Sequence, residues 1–280
     1  MAHLTIDFFS NCLRRTVQFQ MIIPGDFCNT WQIEQKRKGK RMKTLFLLHG
    51  YTGAAENWVP DNLSTLYNFA IVMPSGENGF WVDGPATGHQ YGAFIGEELP
   101  DYIRKTFGLA MNPEETYIMG LSMGGFGALH TALQYPETFG KVAALSSALI
   151  IHEIAHMQPG GSNEVANYEY YHGCFGDLDR IEISRYNPEV LVEEILNEQR
   201  KMPDIYMACG TEDFLLEKNR EFHRFLDKYE VPHCYMESKG EHNMEFWTEY
   251  ARIFIPKMFE EQEKRSCHCG FQICFGGFYE

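Results

Sequence analysis

The pentapeptide Gly120-Leu121-Ser122-Met123-Gly124 sets a serine between small residues, after a short apolar run and before a helical one. A serine at a sharp strand-to-helix turn stands in a strained backbone, and small flanking residues let the turn close without collision. Its hydroxyl is then held at the carboxyl end of the strand, where parallel sheets place their ligands. The residues that follow, Gly125, Phe126, Gly127 and Ala128, keep the helix close to the sheet. The helix N-terminus adds partial positive charge where an oxyanion would develop. The chemistry this suits is nucleophilic attack on an acyl carbon. The plainer alternative is a Gly-Ser turn that only caps a helix; the strand before and the helix after argue against it.

A serine hydroxyl needs a base, and the base needs an acid to orient it. On a sheet of this kind the three follow in the order Ser, then Asp or Glu, then His, each after a later strand. Cys209-Gly210-Thr211-Glu212-Asp213 leaves one apolar run, and Lys239-Gly240-Glu241-His242-Asn243 leaves the last. Asp213 is the candidate acid, with Glu212 as its rival, and it also suits the N-cap of the helix that follows. His242 is the candidate base, with His49 as its rival. Ser122 would attack, His242 would take its proton, and Asp213 would hold the imidazole tautomer. The backbone N–H of Met123 offers one oxyanion donor. A second is expected from His49-Gly50-Tyr51-Thr52-Gly53, where Gly50 frees the chain to turn the Tyr51 N–H inward. One such donor is typically worth about 10²–10³ in turnover. Trp81, beside Phe80 in the Gly-rich loop 76–92, and Phe214 are candidate substrate contacts. Anchoring that loop is an equally good role for the aromatics.

Those residues need strands to carry them. Thr16 to Ile23 alternates in the period-2 manner of a half-buried strand. The runs 44–48, 69–73, 116–119, 142–145 and 205–209 are short and continuously apolar, as in strands buried on both faces, and 234–236 is a weaker seventh. Helices are expected at about 94–106, 122–135, 188–200, 214–229 and 244–259, with Pro100 implying a kink or a later start in the first. Buried strands alternating with helices predict an α/β fold, a mostly parallel central sheet with helices on both faces. An excursion after the sixth-strand region, at about 150–200, interrupts the rhythm and has the length of a lid or binding wall. One domain over 1–262 and a Cys/Gly/aromatic tail over 263–280 account for the chain.

Composition bounds the partners. The 280 residues carry 24 Lys and Arg against 38 Asp and Glu, a formal net charge of −14. That balance opposes binding to nucleic acid, which needs clustered cations. The run Lys36-Arg37-Lys38-Gly39-Lys40-Arg41, with Lys43, reads as a solvated turn between strands. No apolar stretch reaches the roughly 18 residues of a membrane span. The N-terminus lacks a basic region followed by an apolar one. A cytoplasmic, reducing location is therefore expected, with the eight cysteines free. The apolar tail could dock on the body or on another subunit, giving a homo-oligomer.

Taken together, Leu47-Leu48-His49-Gly50-Tyr51-Thr52-Gly53 with Asn57-Trp58, Gly120-Leu121-Ser122-Met123-Gly124-Gly125-Phe126-Gly127, Cys209-Gly210-Thr211-Glu212-Asp213-Phe214-Leu215 and Gly240-Glu241-His242 form four ordered motifs. In these the chain resembles the esterase D group of α/β-hydrolases, which includes S-formylglutathione hydrolase, and more closely its bacterial tributyrin-esterase branch of short-chain acyl esterases. The resemblance runs from near the N-terminus to about residue 260. It implies an α/β-hydrolase fold and a serine carboxylesterase acting on a small-molecule ester through an acyl-enzyme. Ser122, Asp213 and His242 would be the triad, and the Tyr51 and Met123 N–H groups the oxyanion donors. It implies no metal and no organic cofactor. The glutathione-thioester enzymes usually carry Cys where this chain has Gly53, and His where it has Leu121 and Phe126, which disfavours S-formylglutathione. Feruloyl and sugar-acetyl esterases are also relatives, so the acyl group stays open. A non-catalytic binding protein on the same scaffold, and acyl transfer to an alcohol other than water, are the other readings.

Two motifs point elsewhere. His152-Glu153-Ile154-Ala155-His156 matches the zinc-peptidase pattern, which works only on a helix long enough to align both histidines. Pro159-Gly160-Gly161 follow at once, and the downstream Gly and third His are missing. In the tail, Cys267, Cys269 and Cys274 lie off the usual zinc spacing.

Overall fold

A computed structural model of the chain describes residues 1–25 and 39–259. The basic residues 36–38 and the tail with Cys267, Cys269 and Cys274 lie outside those residues, as does the expected boundary at 262. Eight strands form one sheet: β1 (Ala2–Ser10), β2 (Arg15–Ile23), β3 (Lys43–Leu48), β4 (Phe69–Pro74), β5 (Thr116–Leu121), β6 (Lys141–Leu145), β7 (Asp204–Gly210) and β8 (His233–Ser238). Their spatial order is β1-β2-β4-β3-β5-β6-β7-β8. Strands β3 to β8 run parallel, while β1 and β2 form an antiparallel hairpin on the β4 edge.

β1 is absent from the sequence-based expectation. It lies at the edge of the sheet, so its residues up to Phe9 alternate between exposed and half-buried, and Phe9 is 60% exposed. Such a strand lacks the continuous apolar run that marks the inner ones.

The inner strands are buried on both faces, and successive side chains go to opposite layers. Phe46, Leu48, Val72, Ile118 and Val142 join one core, which packs against helices α2 (Leu99–Phe107), α3 (Met123–Gln134), α6 (Pro188–Asn197) and α7 (Leu216–Lys228). Leu45, Leu47, Ile71, Met119 and Ala143 join the other, covered by α1 (Asp61–Tyr67) and α8 (Met244–Phe259). Pro100 falls in the first turn of α2, which continues without a break from the helical turns before it, and the ladder adjusts to its missing N–H there. A π-helical segment, Phe94–Glu98, precedes it and explains the blurred start. Between β6 and β7 the excursion contains α4 (Ile151–Ile154), α5 (Tyr168–Phe175), a 3₁₀ turn and α6.

Register decides where the turns fall. Leu48 pairs with Gly120, Leu121 with Leu145, Leu145 with Ala208, and Gly210 with Ser238. The carboxyl ends of β3, β5, β6, β7 and β8 are therefore level, and their following turns share one edge of the sheet.

Between β5 and α3 the chain turns back with no spare room. A Cβ on Gly120 would stand 1.9 Å from the Gly124 carbonyl oxygen, and one on Gly124 would stand 2.5 Å from the Leu48 and His49 oxygens. Gly120→Ala is expected to cost about 3 kcal/mol or more of stability, since backbone rather than a flexible side chain must move. Urea denaturation of the variant beside the wild-type chain measures it; an unchanged midpoint would contradict the packing described.

Candidate active site

Ser122 occupies that turn with φ 54° and ψ −119°. A non-glycine residue in this region is strained, and such strain persists only where the surroundings fix it. Here they do. The Ser122 N–H donates to Leu145 O at 2.9 Å, and its carbonyl accepts from the N–H groups of Phe126 and Ala148 at 3.0 Å each. Its side chain caps nothing on its own helix, which leaves Oγ at the half-buried surface.

Oγ lies 2.9 Å from Nε2 of His242, and Nδ1 of His242 lies 2.9 Å from Oδ2 of Asp213. An ionised carboxylate only accepts, so Nδ1 carries the proton of the neutral ring and Nε2 accepts from the serine hydroxyl. Phe214 and Trp247 hold the imidazole between them, with centroids at 4.7 and 4.9 Å. Phe214 is 64% exposed, which puts it at the rim of the site.

Asp213 is buried, and burial by itself raises its pKa. Hydrogen bonds from His242, the Leu215 N–H and Ser146 outweigh burial and hold it below the ordinary carboxylate value. Glu212, the rival acid, is exposed at the surface near Lys239.

Ser146 was not singled out by any sequence motif. It is fully buried with φ 45°, accepts from Trp247 Nε1 at 3.0 Å, and lies where its hydroxyl helps to lower the pKa of Asp213. One hydroxyl thus links the acid to the tryptophan that backs the histidine. Asn219 acts similarly: its side chain bonds both the N–H and the carbonyl of Ser147 at 3.2 and 3.0 Å, tying the loop after β6 to α7. Both act through tertiary contacts, and only their polarity in apolar surroundings hints at them in the sequence.

His49, the rival base, lies below the loop 49–53. Its Nε2 accepts from the Gly76 N–H at 3.0 Å, so Nδ1 is the protonated nitrogen and donates to Gly50 O at 2.8 Å. Burial lowers its pKa and keeps the ring neutral. The imidazole pins the loop rather than facing Ser122. Trp81 reinforces it: the indole is wholly buried, sits 5.0 Å from the His49 ring and donates to His49 O at 3.3 Å. The structure thus places Trp81 beneath the loop and not on an open wall.

A Cβ on Gly50 would lie 3.3 Å from the Ser122 Cβ, so the loop backbone passes directly over the serine. Among the described residues, neither the Tyr51 nor the Met123 N–H donates to a backbone carbonyl outside regular helix or strand pairing. Asn78 fixes the far side, accepting from Thr52 N–H at 2.8 Å through Oδ1 and from the Tyr170 hydroxyl at 2.6 Å through its carbonyl. Tyr170 also packs on Tyr51 at 5.7 Å. The excursion is thereby a wall beside the site.

The H-E-x-x-H residues do not form a zinc-peptidase centre. α4 spans four residues only, and His156 lies past its end with φ 61°. His152 is held by Glu182 and Glu189 at 2.7 and 3.3 Å. Burial lowers its pKa, but these carboxylate bonds win and raise it, favouring the imidazolium that a metal cannot use.

A strained serine at a β–α turn, bonded to a histidine that is bonded to a buried aspartate, on a mostly parallel sheet, defines a serine hydrolase of α/β-hydrolase fold. Residues 10–252 match the family model described as an esterase, and the chain belongs to that esterase family. It is a carboxylic ester hydrolase. An acetyl esterase of Caldicellulosiruptor saccharolyticus is 38% identical over 270 residues, 95% of this chain and 100% of the relative. Two solved structures from Staphylococcus aureus share the fold. The fluorophosphonate-binding serine hydrolase FphF, with substrate bound, superposes with a TM-score of 0.79 at 23% identity, covering 93% of this chain and 99% of that one. The S-formylglutathione hydrolase FrmB gives 0.76 at 23% identity, covering 92% and 99%.

Two outcomes test the site's electrostatics. Ser146→Ala leaves the Trp247 N–H buried without its partner and is expected to cost about 1–3 kcal/mol in urea denaturation, with kcat falling more than KM rises. Asp213 has a folded pKa below its unfolded one, so its contribution to stability is complete above about pH 4 and is lost as pH falls through the folded value. The stability difference between wild type and Asp213→Asn should narrow below about pH 4, measured by chemical denaturation across pH; a constant difference would contradict the assignment.

Proposed function

We propose that Ser122 is the nucleophile, His242 the general base and acid, and Asp213 the orienting carboxylate of a short-chain acyl esterase. The observation that carries this is the unbroken chain of two 2.9 Å hydrogen bonds from Asp213 through His242 to Ser122. Attack by Oγ on the ester carbon passes its proton to Nε2, and the positive charge on the ring is balanced by Asp213. The carbonyl oxygen becomes an oxyanion within reach of the Tyr51 N–H in the loop after β3 and the Met123 N–H at the start of α3. The imidazolium then protonates the leaving alcohol. Water, activated by the same histidine, releases the acid from the acyl-serine.

The wall favours a small acyl group. Phe80 packs against Phe126 and Phe175 at 5.7 and 5.0 Å, and Tyr170 is tied to Asn78, so a bulky acyl chain on that side would have to displace anchored aromatics. The acetyl esterase relative supports the same size class. Acetyl and other short acyl esters, as in the tributyrin-esterase branch, are the proposed substrates; Phe214 touches the substrate at the rim, and Trp81 acts through the loop it supports. The −14 charge supports a partner other than nucleic acid. Among the described residues no helix is long and apolar enough to cross a membrane. Cys12, Cys174, Cys209 and Cys234 are free thiols, which supports the reducing cytoplasm. The apolar composition of residues 263–280 supports a homo-oligomer.

Ser122→Ala is expected to lower kcat on p-nitrophenyl acetate by about 10⁴-fold or more with circular dichroism unchanged. Near-wild-type turnover in that variant would overturn the assignment. With the wild-type enzyme, kcat/KM across acetyl, butyryl, octanoyl and feruloyl esters and S-formylglutathione should be highest at acetyl or butyryl.

A further inference from the structure

His233 opens β8 at the end of the strand opposite to the one that leads to His242. Its Nδ1 lies 2.8 Å from Val231 O and must donate to it, which leaves Nε2 with a free lone pair. That lone pair faces two groups on α7, the helix packed beside it: His223 Nδ1 at 2.7 Å and Asp227 Oδ1 at 3.9 Å. His223 and Asp227 are one helical turn apart, with His223 Nε2 and Asp227 Oδ2 separated by 3.5 Å. One ligand atom from each of the three residues falls within 4.8 Å of the others.

We propose that His223, Asp227 and His233 bind a single divalent transition-metal ion of the zinc class, which clamps α7 to β8 at the end of the sheet remote from the triad. Three features favour a metal site over a chance surface pair. The donor set, two imidazoles and one carboxylate, suits zinc and its neighbours and not calcium or magnesium. The Val231 carbonyl fixes the tautomer of His233 in the manner of the outer-shell partner that metal-bound histidines generally have. The required movement is small. Tetrahedral zinc with bonds of about 2.0–2.1 Å holds two nitrogens roughly 3.3 Å apart, so the two rings part slightly from 2.7 Å and the carboxylate closes in from 3.9 Å of His233 Nε2.

The protons balance without oxidation or reduction. In the metal-free pair the hydrogen on His223 Nδ1 is donated to His233 Nε2. On binding, Nδ1 gives up that hydrogen and the ring takes its other tautomer, with the hydrogen on Nε2, while Asp227 leaves its 3.5 Å contact with Nε2 and turns a carboxylate oxygen to the metal. Tyr235 stacks on the His223 ring at 4.4 Å and steadies it. Water completes the coordination.

The consequence for the enzyme is mechanical. α7 starts just after Asp213, and β8 ends just before His242. A metal joining them stiffens the frame of the acid–base pair without touching substrate, so it should change stability more than turnover.

The test is titration of the full-length chain at neutral pH with cobalt(II), read by visible d–d absorption, and with zinc, read by calorimetry and thermal unfolding. Expected are one saturable ion per chain and a rise in Tm of several degrees at saturating zinc. His223→Gln and His233→Gln should each abolish the cobalt spectrum, and Asp227→Asn should weaken zinc by at least about 10-fold. Hydrolysis of p-nitrophenyl acetate by these variants shows that they are folded. His152→Gln and the triple variant Cys267→Ser/Cys269→Ser/Cys274→Ser should bind as the wild type does. Absence of a saturable cobalt spectrum, zinc binding that survives in His223→Gln/His233→Gln, or binding that disappears with the tail cysteines would each overturn the proposal.

Discussion

The site depends on contact between two pieces of backbone. To present Ser122, the first turn of α3 must touch the end of β5 and the end of β3 at once, and the 1.9 and 2.5 Å clearances at Gly120 and Gly124 leave no room for a side chain. That contact forces Ser122 into its left-handed-side conformation, φ 54°, and three backbone hydrogen bonds hold it there. The same closeness brings the Met123 N–H and the loop after β3 to the serine. The strain is therefore a consequence of packing a helix start onto a sheet, and the exposure of the Ser122 hydroxyl comes with it.

Around this turn the molecule uses its polar groups to fix loops. His49 joins Gly50 and Gly76 through one defined tautomer, Trp81 holds the His49 carbonyl, and Asn78 bonds Thr52 on one side and Tyr170 on the other. The chain continues on the acid side through Trp247, Ser146, Asp213 and His242. The bonds of His49, Trp81 and Trp247 are buried, where an unmade partner is expensive, and they fix the loops they join. An electrostatic site of this kind gains rate from donors that need no rearrangement when charge develops.

Much of this was legible beforehand, for identifiable reasons. The inner strands are buried on both sides and appear as apolar runs; the helices carry one apolar stripe; and the nucleophile turn must be built from glycines. Ser122, Asp213 and His242 could be named because their turns follow such strands in order. β1 escaped notice because an edge strand has no two-sided burial to record. α1 and α5 are short, and the rings of α5 pack on Phe80, Phe126 and Tyr186 rather than on a strand. Trp81 was a reasonable wall residue by composition, yet Gly76 and Gly127 leave space in which its ring is swallowed whole.

The inner strands, the placing of Ser122, Asp213 and His242 at successive strand-end turns, and the fold class all follow from local spacing and apolar pattern in the sequence. Only the tertiary structure sets the distances within that group, turns Glu212 to the surface and His49 into its own loop, and brings Ser146 into the group at all. It also brought His223 on α7 against His233 on β8, ten residues away in the chain and in hydrogen-bond contact in space. Such outcomes depend on register and on the direction in which a side chain leaves its element, and neither is fixed until the strands are paired and the helices have been laid across them.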